Sequence, residues 1–124
     1  MCQKAFGSVG GLFVDVKGLE WTRGQPSHFQ SSNVARRGFC AACGTPLTYE
    51  TDKAVDISIG AFDRPDEIAP VIQLDRESRL PWFDAMHTLP GPGPEEEAAK
   101  VQQYAAIVSR QHPDHDTENW EPGR

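Results

Sequence analysis

The sequence predicts a mainly β domain followed by one C-terminal helix, and three observations carry that reading. Breakers are frequent, with 11 Gly and 10 Pro among 124 residues, and they fall between short apolar runs. That spacing suits many short strands and not a helical bundle. One run, Val55-Asp56-Ile57-Ser58-Ile59, alternates apolar and polar residues with the period of a strand. Only one stretch, after Pro90-Gly91-Pro92-Gly93-Pro94, carries a helical period.

Taken in order, Met1 to Gly11 mixes small residues with Phe6 and three glycines, and reads as a loop. Leu12 to Val16 alternates, with Leu12, Val14 and Val16 on one face, and is a strand. Lys17-Gly18 turns the chain into a second strand candidate, Leu19 to Thr22. Gln25-Pro26 breaks the chain before an extended piece, Ser27 to Gln30, and Ser31-Ser32-Asn33 is turn-like. Val34 to Phe39 leads into a cysteine-bearing turn, and Leu47 to Thr51 leaves it as a strand. Val55 to Ile59 should lie in a sheet with one face in water. Phe62 to Pro65 is a turn, Val71 to Leu74 a further strand, and Pro81-Trp82-Phe83 has no clean period. Pro94 suits the first position of the final helix, where Glu95, Glu96 and Glu97 complement the positive dipole end. Ala98, Val101, Ala105 and Val108 form its apolar stripe.

The bulk composition narrows the function. A length of 124 residues allows one domain with a core. The net charge of −6 sets a field that repels phosphate backbones, and Arg36-Arg37, the densest basic cluster, is only a pair. Nucleic acid is therefore not an expected partner. No stretch has the apolar length of a membrane span and no signal-peptide layout opens the chain, so a soluble cytoplasmic protein is expected.

Cysteine usage points to metal. Of three cysteines, Cys40 and Cys43 form a CxxC followed by Gly44. Two intervening residues bring both sulfurs to one ion, and glycine relieves the tight turn. The pair is half of a four-ligand zinc site. Cys2, His28, His87, His112 and His115 are the remaining side chains that ligate zinc through sulfur or imidazole. Two other readings stand beside this one: inert buried thiols, or a redox pair. Strand-like flanks weigh against the redox pair, which wants a helix N-terminus. The lone histidines read as surface residues, and Pro113 separates His112 from His115. Asp63 and Asp66 flank a proline turn and read as turn residues.

These residues, in this order, resemble the glutathione-dependent formaldehyde-activating enzyme family, which includes the centromere protein V group. The likeness runs through Met1-Cys2-Gln3-Lys4-Ala5-Phe6-Gly7-Ser8, Ser31-Ser32 and Arg37 to Leu47. It continues through Ile59 to Pro65, Ile68-Ala69-Pro70 and Trp82 to Pro90. The resemblance implies a β-rich, zinc-knuckle domain of the Mss4-like (β-tent) type with two zinc sites. One is structural and includes Cys40 and Cys43. The other is catalytic and is built from a Cys-His-Cys-x-x-Cys run, of which Cys2 is the remnant. It also implies a carbon–sulfur lyase reaction joining formaldehyde to glutathione, so the expected partner is a small thiol.

The departure from the family pattern is upstream. The chain begins just before the cysteine that ends the catalytic run, so Met1 is expected to be an internal methionine of a longer reading frame, with genuine loss of the upstream segment as the alternative. Codons for CxCG and then CHC should precede it. The domain is expected over residues 1–90, a Pro/Gly linker over 91–94, the helix over 95–110 and a disordered tail over 111–124. Activity of the chain as written should be impaired, and a non-catalytic zinc-stabilised thiol- or partner-binding module is the alternative function. A chromatin role fits poorly with an acidic chain lacking a basic arm.

Overall fold

The computed structural model describes residues 1–113, 115 and 117. It is built around a five-stranded antiparallel sheet in the order β1-β5-β4-β3-β2. The strands are β1 (Phe13–Val16), β2 (Ser27–Gln30), β3 (Arg36–Phe39), β4 (Pro46–Glu50) and β5 (Val55–Ser58). Four consecutive strands, β2 to β5, form a meander, and β1 closes onto β5 at the far edge.

Local chemistry sets each turn of the meander. Between β2 and β3 the Ser32 hydroxyl accepts from the backbone of Val34 and Ala35, at 3.2 and 3.1 Å. Between β4 and β5 the Thr51 hydroxyl does the same for Lys53 and Ala54. A hydroxyl two or three residues before the N–H it serves pins a turn without help from the rest of the fold. Both hairpins are therefore set by their own sequence.

Register fixes which side chains share a face. Arg37 pairs with Phe29 and Tyr49, and Tyr49 with Asp56. Arg36 pairs with Gln30 and Glu50, and Glu50 with Val55. Because neighbouring strand residues point oppositely, these are two different faces. A short helix, α1 (Cys2–Phe6), lies on the Arg37 face, with the Phe6 ring edge-on to Phe13 at 5.4 Å. The Gln3 side chain ties it to the carbonyl of Ser78 at 3.0 Å. The irregular segment from Gly18 to Gln25 crosses the Arg36 face, where Leu19, Trp21 and Gln25 meet Val16, His28, Glu50 and Val55 around a shallow pocket.

Several sequence expectations are corrected here. The opening segment is a helix, capped by Gly7 in the left-handed conformation, where a loop was expected. Leu19 to Thr22 and Val71 to Leu74 are not strands. Neither has a neighbouring strand to pair with, and Val71 is 94% exposed. The sheet is partly covered on both faces, so Ser58 is buried although it sits at a polar position of the alternation. The last helix, α2 (Pro94–Ala105), ends before Val108 and buries none of its residues. Among the described residues its apolar stripe is uncovered, with Val101 63% exposed. Within the expected tail, Gln111 and His112 contact the cysteine-bearing turn, as described below. Of the rest of that tail, 114, 116 and 118–124 lie outside the described residues. Among the described residues, no helix is long and apolar enough to cross a membrane.

Candidate functional site

The site expected from the sequence divides into a knuckle, an isolated cysteine and a carboxylate cluster. The knuckle joins β3 to β4. Gly44 N–H donates to the Cys40 carbonyl at 2.7 Å and Cys40 N–H to the Thr45 carbonyl at 2.9 Å. Closing so tight a loop puts Gly44 at φ +77°, a conformation that side-chain-bearing residues avoid. Cys40 and Cys43 thus flank one tight turn between β3 and β4.

Around Cys43 the hydrogen bonds are dense. Burial pushes its thiol up, but donors outweigh this and hold it below the ordinary value. They are the Thr45 hydroxyl and N–H, the Cys40 thiol and the His112 backbone N–H. The Thr45 hydroxyl lies 3.0 Å from Cys43 Sγ and also donates to Gln111 Oε1 at 2.9 Å. One hydroxyl has one proton, so with Cys43 protonated its S–H feeds Thr45, which feeds Gln111. The chain after α2 therefore returns to the knuckle at Gln111 and His112, a contact with no periodic signal in the sequence.

Cys2, the first residue of α1, stands apart from the knuckle. Its sulfur accepts from Arg37 Nη2 at 3.4 Å. All three cysteines are free and half-buried. Among the described residues, no group of three or more His, Cys, Asp or Glu is placed to hold a metal ion. The knuckle offers two thiols of a tetrahedral set, and Cys2 is faced by a cation where a second ligand would be needed. These residues alone do not complete a zinc site.

Sequence reasoning missed Arg37 and Glu50, the two charged side chains that are buried among the described residues. Arg37 is 8% exposed, and its guanidinium lies 5.0 Å from the Tyr49 ring centroid and 5.8 Å from that of Phe6. Among the described residues its Nε and Nη1 have no hydrogen-bond partner, and both are closed to water. A pocket of about 410 Å³ opens against it, between α1 and the end of the knuckle, lined also by Lys4, Phe6, Ser31 and Gly44.

Glu50, on the opposite face, is fully engaged. Its Oε1 accepts from the Thr48 hydroxyl at 2.6 Å and from His28 Nε2 at 3.0 Å, and its Oε2 accepts from Arg36 Nε at 2.7 Å. Burial raises this carboxyl, and the bonds from Thr48, His28 and Arg36 more than reverse that, leaving it below the ordinary value. His28 is thus a partner of a buried carboxylate and not the plain surface residue expected. Thr48 also accepts from the Gly38 N–H at 3.1 Å. A methyl at position 38 would collide with that hydroxyl, so the cluster requires glycine there. The one available sequence signal was the strand period, which sends adjacent Arg36 and Arg37 to opposite faces.

Comparison with known proteins gives a single result. The family model described as glutathione-dependent formaldehyde-activating enzyme matches residues 1–77, more than half of the 124-residue chain. That span includes α1, the whole sheet and the knuckle. No curated protein and no solved structure matches.

Proposed function

The chain belongs to the glutathione-dependent formaldehyde-activating enzyme family, and from that premise we propose that it acts on thiol–aldehyde adducts as a carbon–sulfur lyase-type protein. The adduct is S-hydroxymethylglutathione. The observation that carries this reading is the family match across a span holding both Cys2 and the Cys40–Cys43 knuckle. In the forming direction the thiolate sulfur attacks the carbonyl carbon of formaldehyde. A C–S bond forms, the C=O π pair moves to oxygen, and the proton lost by the thiol ends on that oxygen. Cleavage is the reverse.

The residues in hand contribute binding and orientation. Arg37 holds the Cys2 sulfur and places a positive charge where a thiolate and a developing alkoxide both gain from it. No step is assigned to a metal. Zinc enters the reading at the knuckle, where Cys40 and Cys43 would supply two thiolates to a structural ion and keep the β3–β4 turn closed.

Two measurements test this. Exchange between free formaldehyde and its glutathione adduct, followed by NMR, proceeds without a catalyst. Protein that accelerates it supports the lyase reading, and a rate equal to the spontaneous one overturns it in favour of a thiol-binding module. Elemental analysis tests the knuckle. About one zinc per chain or per dimer, lost in the Cys40→Ser/Cys43→Ser double variant, supports a structural ion that takes its remaining ligands from outside this pair. An unmutated chain purified without zinc ends that part of the reading.

A further inference from the structure

We propose that the pocket between α1 and the knuckle is a carboxylate-binding site, in which Arg37 and Lys4 hold the free carboxylate of a small peptide thiol. The proposal rests on the thiol reading above and adds the means by which that thiol is held.

Arg37 carries the argument. Its side chain is more than nine-tenths buried, yet Nε and Nη1 bond to nothing and Nη2 reaches only a sulfur. An unpaired buried donor forfeits the hydration it left behind, and an unpaired buried charge forfeits more. Its neighbour Arg36 shows what compensation looks like, with a carboxylate oxygen at 2.7 Å. The rings of Phe6 and Tyr49 repay part of the deficit at Arg37 and supply no counter-charge.

The pocket at its side is suited to supply one. Its volume of about 410 Å³ takes a small molecule, and its lining includes Lys4 and Arg37 with no Asp or Glu. Nε and Nη1 are closed to water and lie behind the pocket wall, so a carboxylate seated there meets the guanidinium through its weakly screened charge and not through bonds to those two nitrogens. The chain as a whole carries −6, so this cationic wall is a local construction. Arg37 also touches Cys2, which puts a carboxylate seated on this charge close to a thiol-handling position.

Calorimetric titration of the full chain separates this proposal from the lyase reading. Four probes are compared: reduced glutathione, its diester with both carboxylates blocked, a thiol-free analogue with alanine replacing cysteine, and the diester of that analogue. Each free acid should bind on the order of tenfold or more tightly than its diester, the scale of a charge-assisted contact. The global field of an acidic chain works the other way and would favour the esters. Arg37→Met should remove the acid preference, with circular dichroism confirming the fold. Because the acid–ester comparison is made on unmutated protein, a misfolded variant does not rescue the idea. Equal affinity for acid and ester, or no heat from either acid at millimolar concentration, overturns it. An acid preference with no acceleration of adduct exchange would leave the pocket standing while the lyase reading falls.

Discussion

The two faces of the sheet each bury one charged side chain, and they treat it in opposite ways. On the Arg36 face, Glu50 receives three hydrogen bonds, two from cationic or imidazole groups and one from a hydroxyl that is itself buried. On the other face, Arg37 has a sulfur, two rings and two nitrogens with nothing to bond. A charge bonded on both of its oxygens is compensated within the chain and serves the fold. An unpaired one burdens the fold and gains from a counter-charge brought beside it. The contrast separates a structural cluster from a candidate site with no appeal to motif.

The contrast is breakable by substitution. Gly38→Ala should be the most damaging change, because its methyl displaces the Thr48 hydroxyl and so undoes two buried hydrogen bonds together. A loss of roughly 3 kcal/mol in urea unfolding is expected. Glu50→Gln comes next, at about 1.5 kcal/mol, since a neutral amide weakens the bonds to Arg36 and His28. Arg37→Met should change stability by less than about 1 kcal/mol, lost ring contacts being offset by relief of an unpaired charge. If Arg37→Met proves as destabilising as Glu50→Gln, the two faces are not different in kind.

Acid sharpens the comparison further. Glu50 has a depressed carboxyl in the folded state, so its contribution is present above the ordinary Glu value and lost as pH falls through the folded value. The stability gap between the unmutated chain and Glu50→Gln should therefore close in acid. Asp56, on the Arg37 face, shifts the other way: burial and then the facing charge of Asp15 raise it. Its ionised form burdens the fold, and protonation relieves that burden. The smallest expected effect is thus a slightly higher urea midpoint for Asp56→Asn near neutrality, with the gain vanishing below the ordinary Asp value.

How much of this was legible in the sequence depends on range. The Ser32 turn, the strands at Leu12 to Val16, Leu47 to Thr51 and Val55 to Ile59, and the CxxCG turn are short-range, and residue type plus period two was enough to find them, whereas the Thr51 turn and strand β3 carried no such signal. Leu19 to Thr22 and Val71 to Leu74 have the same strand-like look and fail, because a strand exists only with a partner and neither has one. Helix α1 was missed for the complementary reason. Five residues are too few to show a helical period, and the helix is held by Phe6 on Phe13 and by Gln3 on Ser78. The start of α2 was readable from Pro94 and the three glutamates, whereas its end was not, since no packed surface carries it past Ala105. Among site residues, Cys2, Cys40 and Cys43 announce themselves by type. Arg37 and Glu50 do not, because their meaning lies in which strand faces them and in what is missing around them.

One contact within the sheet reaches beyond stability. Gly38 leaves room for the Thr48 hydroxyl, and that hydroxyl occupies the space a β-carbon would need. The two positions are therefore a single heritable unit. A lineage that acquires a side chain at 38 must shrink residue 48 in the same step or soon after, and must then find another donor for the carboxylate at 50. Among descendants of this chain, glycine at 38 and a small hydroxyl residue at 48 should be kept or lost together.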